Sequence, residues 1–170
     1  MAIKDGMLME FKHEMGNTRK MLERVPFEKE NFKPHDKSHA LVALASHVAR
    51  IPTWVGRVMS RESFDVAVPN AFPKYEPITN TAELLAMYDA NCADAIKAFE
   101  GASDEAMMTP WSFKAGEHVI FTLPRAAAIR NMGMNHQYHH RGQLSVYLRL
   151  LDVPVPGMYG PSADEARPVM

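Results

Sequence analysis

A single cysteine, Cys92, is the scarcest feature of this 170-residue chain. It excludes a disulfide framework within the chain and any cysteine-rich zinc module. Charge of one sign is also missing, since 19 Lys+Arg against 20 Asp+Glu leave a formal net charge of -1. The chain therefore has no overall basic footprint for nucleic acid or for an anionic membrane surface. No apolar run approaches the roughly 18 residues that read as a membrane span. The opening stretch MAIKDGMLMEFKHEM carries charges every few positions and lacks the apolar core of a secretory signal. These absences point to a soluble cytoplasmic protein with no nucleic-acid and no membrane partner. The length suits one domain over residues 1–170, with enough chain to bury a core unaided.

The twelve prolines are informative by position. Pro26 and Pro34, then Pro69, Pro73 and Pro77, then Pro110, then a group from Pro154 to Pro168 mark connections, because proline removes a backbone donor. Four segments with few breakers lie between them, at about 5–24, 36–60, 80–100 and 124–151. Each carries apolar residues near a 3.6-residue period, which predicts an all-α, four-helix bundle. The first buries Met7, Leu8, Phe11, Met15, Thr18, Leu22 and Val25. Asp36 is placed to cap the second, whose stripe is Leu41, Leu44, Val48, Ile51, Trp54, Val55 and Val58. Pro52 falls inside that segment and predicts a kink near Val48. Asn80 or Thr81 caps the third, with Leu84, Leu85, Tyr88, Cys92, Ala95, Ile96 and Phe99 as its stripe and Gly101 at its end. Around 107–123 the pattern changes to alternation on both sides of Lys-Ala-Gly-Glu. This predicts a short β-hairpin before the last helix, turning near Ala115-Gly116 and packing on the bundle. Pro124 suits the first turn of the fourth helix, and the tail Pro154–Met170 reads as irregular.

Eight histidines are what the chain has in excess. Two pairs are spaced i,i+4, His35/His39 and His136/His140, close enough on a helix for both rings to meet one metal ion. At about 100° per residue, His136 and His140 fall inside the stripe of Ile129, Met132, Gly133, Leu144, Tyr147 and Leu151 and point into the core. His139 lies at the stripe's edge, where it reaches a shared metal less comfortably. His47 lies within the stripe of the second segment. Three such imidazoles make a three-nitrogen metal site geometrically possible, with an open fourth position of the catalytic type. The ligands alone do not fix the metal. His35 and His39 read as solvated, His13 and His118 as surface or packing residues, and the thirteen methionines as core filler.

The stretch NHQYHHRGQLSVYLRLLDVPVPGMYGPSADE resembles the final helix and tail of the DinB family. It carries His-x-x-x-His followed by Arg-Gly-Gln, then Tyr-Leu-Arg and the proline-rich exit to Tyr-Gly-Pro. HALVALASHVARIPTWV is similar to that family's second helix with its own histidine. The resemblance implies an up-down-down-up order for the four helices, often in a homodimer. It also implies a divalent metal, zinc or nickel, held by His47, His136 and His140. His139 is not one of the family's positions. Members have been grouped as metal-dependent hydrolases, and some relatives are transferases or isomerases acting with low-molecular-weight thiols.

Such a site can ionise a bound water for hydrolysis or hold a thiol as its thiolate for S-transfer. The final helix reads His-Gln-Tyr-His-His rather than His-Glu-x-x-His, so the metalloprotease arrangement is missing. Asp89 and Asp94 are within possible reach but read as solvated helix-face charges. Gln143 and Tyr138 are the candidates for hydrogen bonds behind the ligands. The lack of an evident hydrolytic base tilts the reading toward a thiol S-transferase, with a hydrolase, or a metal- or ligand-binding stress protein without turnover, as alternatives. Cys92 sits on an apolar stripe, so a reacting thiol would come from solution.

Overall fold

The computed structural model describes residues 2–165, and Pro168 of the expected proline-rich tail lies outside them. Helix dominates. The first helix, α1 (Ile3–Leu22), is followed by a 3-10 turn at Phe27–Lys29, then by α2 (Leu41–Arg50) and α3 (Thr53–Ser60). A short strand β1 (Ser63–Asp65) leads through a long loop to α4 (Thr81–Glu100) and α5 (Asp104–Met108). A hairpin of β2 (Pro110–Ala115) and β3 (His118–Pro124) precedes α6 (Arg125–Ile129), a π turn over Arg130–Asn135, and α7 (His136–Leu150).

Each of the expected helical stretches is present, and the differences have local causes. The second begins at Leu41, not near Asp36, and Asp36 does not cap it. Residues 35–38 instead form a turn in which the Lys37 amide donates to the His35 ring and the Ser38 amide to the His35 carbonyl. The first helical amides, Leu41 and Val42, donate to the carbonyls of Phe32 and Glu30. Backbone from the preceding loop thus does the work of a capping side chain. Pro52 does more than kink the segment, because it divides it into α2 and α3. Side chains take two carbonyls at the break: Thr53 Oγ1 donates to Arg50 at 2.8 Å and Asn91 Nδ2 to Ala49 at 2.9 Å. The α4 start follows the expected logic, with Asn80 accepting from the Glu83 amide at 2.9 Å and Glu83 reaching back to Thr79.

The core runs between the long helices. Helix α4 packs on α1, α2 and α3, and α7 packs on α2 and α1. Leu44, Val48, Leu84, Phe99, Ile129 and Leu148 are fully enclosed. Leu8, Leu85 and Ile96 are half-buried at its margin.

The hairpin forms at its expected place, and Gly116 takes φ +59° at the turn, a conformation that disfavours a side chain. A third strand was not expected. Strand β1 pairs parallel with β2, giving the order β1-β2-β3. The aromatic rings of Trp54, Phe64, Phe113 and Phe121 join this sheet to α3.

Candidate metal centre

His47 comes from the last turns of α2, and His136 and His140 from the first turns of α7. One ring nitrogen of each lies within 4.8 Å of the others. The ring centroids are 4.5 Å apart for His47 and His140, 4.7 Å for His136 and His140, and 5.0 Å for His47 and His136. The Nε2 atoms of His47 and His136 face each other at 3.1 Å. A tetrahedral ion with bonds of ~2.0–2.1 Å would set its ligand nitrogens roughly 3.3 Å apart.

Two of the rings are held from behind. The Nδ1 of His140 is 2.7 Å from the carboxamide oxygen of Gln143. The Nδ1 of His136 is 3.3 Å from the carbonyl of Met132. Both partners are acceptors, so each Nδ1 carries the proton and each Nε2 keeps its lone pair. That is how a metal-ligating imidazole is oriented. The three rings also resist protonation. Desolvation, then the neighbouring His140 and His136, push the His47 pKa down to about 4. Desolvation is also the leading cause that lowers His136 and His140. Neutral imidazoles whose ring nitrogens converge fit a divalent cation.

The expectation that the histidines point into the core is corrected. His47 is exposed, and His136 and His140 are half-buried. The inner face of α7 is instead Gln137, Arg141, Leu144 and Leu148. Two of these are polar, so an apolar stripe drawn through the sequence misses them and swings about a quarter turn toward the histidines. Arg141 is buried because its guanidinium meets Glu14 at 2.8 Å and donates to the Glu14 carbonyl and to Thr18 Oγ1. The histidines therefore sit at the margin of the core, open to solvent on one side. The π turn immediately before His136 is the second local irregularity here, and such turns often accompany functional sites.

The remaining candidates separate cleanly. His139 is exposed and stacks edge-on against His140 at 4.8 Å, outside the convergent group. Tyr138 points the other way and donates to Glu10 at 3.1 Å. His13, His35, His39 and His118 are exposed. Asp89 pairs with Arg19 and Asp94 with Lys97, both at the surface. Cys92 is buried, and desolvation pushes its thiol up to about 12.

Beside His47 lies a cavity of 220 Å³ whose walls include Arg50, Trp54, Arg57, Phe72 and Tyr75. Its walls combine α2, α3 and the loop after β1, and no single sequence pattern pointed to it. A larger hollow of 530 Å³ between α3 and α4 contains none of the three histidines.

A helix-dominated fold that brings three imidazoles from two helices to one point defines a protein compatible with binding a metal ion. The chain belongs to the DinB family, whose model matches residues 2–168. In fold it is similar to a DinB-like protein from Bacillus cereus ATCC 10987, with a TM-score of 0.70 and 21% identity over 91% of this chain and 97% of that one. It is also similar to the DinB-like protein YjoA of Bacillus subtilis, with a TM-score of 0.68 and 17% identity over 94% of this chain and 98% of that one. At the sequence level it is 32% identical over 77 residues to the uncharacterized protein YrdA of Bacillus subtilis (strain 168). That match takes in 43% of this chain and 46% of YrdA, so the chain spans about half the length of this relative.

Proposed function

We propose that this protein is a metal-dependent enzyme of the DinB family in which His47, His136 and His140 hold a divalent zinc or nickel ion. The observation that carries the reading is the convergence of the three rings, with His140 braced by Gln143 and His136 by the Met132 carbonyl. When bound, such an ion supplies Lewis acidity that stabilises a thiolate or lowers the pKa of water. Activation of a low-molecular-weight thiol for S-transfer is the favoured chemistry. Gln143 keeps the His140 lone pair aimed inward, and the open side of the cluster admits a ligand from solvent. Cys92, enclosed on α4 with its thiol protonated, leaves the thiol to be supplied from outside.

Hydrolysis is the second reading. His139, with its ring centre 4.8 Å from that of His140, is a further imidazole beside the cluster and the candidate base for this reading. The same proposal includes one domain over 1–170, four helical segments ordered up-down-down-up, a homodimer, and a cytoplasmic setting. No described helix is long and apolar enough to cross a membrane.

The test is a panel of thiol-conjugation assays with glutathione, bacillithiol and mycothiol, run beside esterase and amidase substrates, with and without chelator. Chelator-sensitive conjugation supports the favoured reading, and chelator-sensitive ester or amide cleavage supports the second. Turnover in neither would leave a metal-binding protein without enzymatic activity.

A further inference from the structure

Two arginines, Arg50 and Arg57, line the cavity beside His47. Arg50 follows His47 by three residues, so the two share one face of α2. The Arg50 guanidinium lies 4.0 Å from the centre of the Tyr75 ring, and its Nε is buried without a hydrogen-bond partner. Arg57, also in the cavity wall, donates to the Tyr75 hydroxyl at 3.2 Å. Its guanidinium lies 5.0 Å from the ring centre of Trp54 and 5.4 Å from that of Phe72. Among the described residues, neither arginine has a carboxylate within ion-pair distance. Of the other described arginines, Arg19, Arg130, Arg141 and Arg149 are paired, whereas Arg24, Arg61 and Arg125 are not, and none of those three lines this cavity.

Two guanidinium groups without carboxylate partners, set among aromatic walls, match a ligand carrying both an anionic group and a flat apolar body. Guanidinium binds a carboxylate through paired N–H groups, and the Trp54, Phe72 and Tyr75 rings offer faces and edges to a ring. The volume of 220 Å³ admits a fragment of about one ring rather than a drug-sized molecule. His47 forms part of the wall, so a ligand held here adjoins the histidine cluster.

We propose that this cavity is a substrate subsite for a small aromatic or similarly flat organic carboxylate, with Arg50 and Arg57 binding its carboxylate. The proposal rests on the metal-site reading only for calling the ligand a substrate. Anion binding itself does not require the ion.

The experiment uses full-length, metal-stripped protein titrated with benzoate and with its uncharged isostere benzamide, followed by NMR shifts of the Trp54 indole and the Arg57 Nε signals. Benzoate is expected to bind saturably, benzamide roughly tenfold more weakly, and Arg57→Gln to lose a similar factor for benzoate alone. Equal binding of the two probes to wild type would overturn the proposal, and this comparison needs no variant to fold. So would undiminished benzoate binding in the double variant Arg50→Gln/Arg57→Gln. Binding seen only after metal loading, and abolished by His140→Ala, would also overturn it, because the anion would then be on the ion. Failure of the metal site alone would leave benzoate binding intact and appear as absent metal uptake, which separates the two claims.

Discussion

Gln143 follows His140 by three residues on α7, and its carboxamide oxygen accepts a hydrogen bond from the His140 Nδ1–H at 2.7 Å. Replacing it with leucine removes the acceptor while keeping the bulk. Gln143→Leu is expected to weaken zinc or nickel binding by ~10–100-fold without unfolding the chain, measurable by competition with a chromogenic chelator. The histidines also predict a pH dependence. The folded His47 pKa is about 4, below its ordinary value of 6.5, so the unfolded state takes up protons first as pH falls. Metal-free protein should lose stability progressively from about pH 6.5 down to about pH 4, and His47→Gln should flatten that slope in a series of thermal melts. A third residue-scale expectation concerns Cys92. With its thiol buried and raised to about 12, native protein should react with a disulfide reagent at pH 8 only as fast as it unfolds. Immediate labelling would contradict that placement. The histidine group itself was legible in the sequence from spacing and from the DinB resemblance. Its exposure was not, because Gln137 and Arg141 are core residues of polar type: Arg141 is held inside by Glu14 and Thr18, and Gln137 is enclosed with no hydrogen-bond partner among the described residues.

At the scale of elements, the apolar period located the long helices, and alternation located the hairpin with its turn at Gly116. The parallel strand β1 was invisible because three residues cannot display an alternating pattern and its partner β2 lies far along the chain. The division of α2 from α3 exceeded the expected kink for an equally physical reason. Side chains of Thr53 and Asn91 stabilise the broken backbone, and those partners belong to the tertiary structure. The register of α7 against α1 depends on the buried pair of Arg141 and Glu14, joined by the Tyr159 hydroxyl, which donates to Glu14 at 2.8 Å. Removing one member leaves the other charge buried. Arg141→Met is expected to cost about 3–5 kcal/mol of unfolding free energy by urea titration. Because Tyr159 belongs to the tail, the same variant should make the segment after α7 more sensitive to limited proteolysis.

For the whole molecule, a helix-dominated frame of near-neutral charge carries the three-histidine cluster at the margin of its core. The frame fixes that site from two directions, with α2 bringing His47 and α7 bringing His136 and His140 across their shared contact. Sedimentation equilibrium at micromolar concentration should give twice the chain mass, and a monomer throughout would refute the proposed homodimer. The most direct test of the central claim is metal stoichiometry after equilibrium dialysis against zinc, for wild type and for His47→Ala, His136→Ala and His140→Ala. The expected result is one ion per chain in wild type and its loss in each variant, with helical content unchanged by circular dichroism. Full retention of the ion in any one of the three folded variants would contradict a centre built from these three histidines.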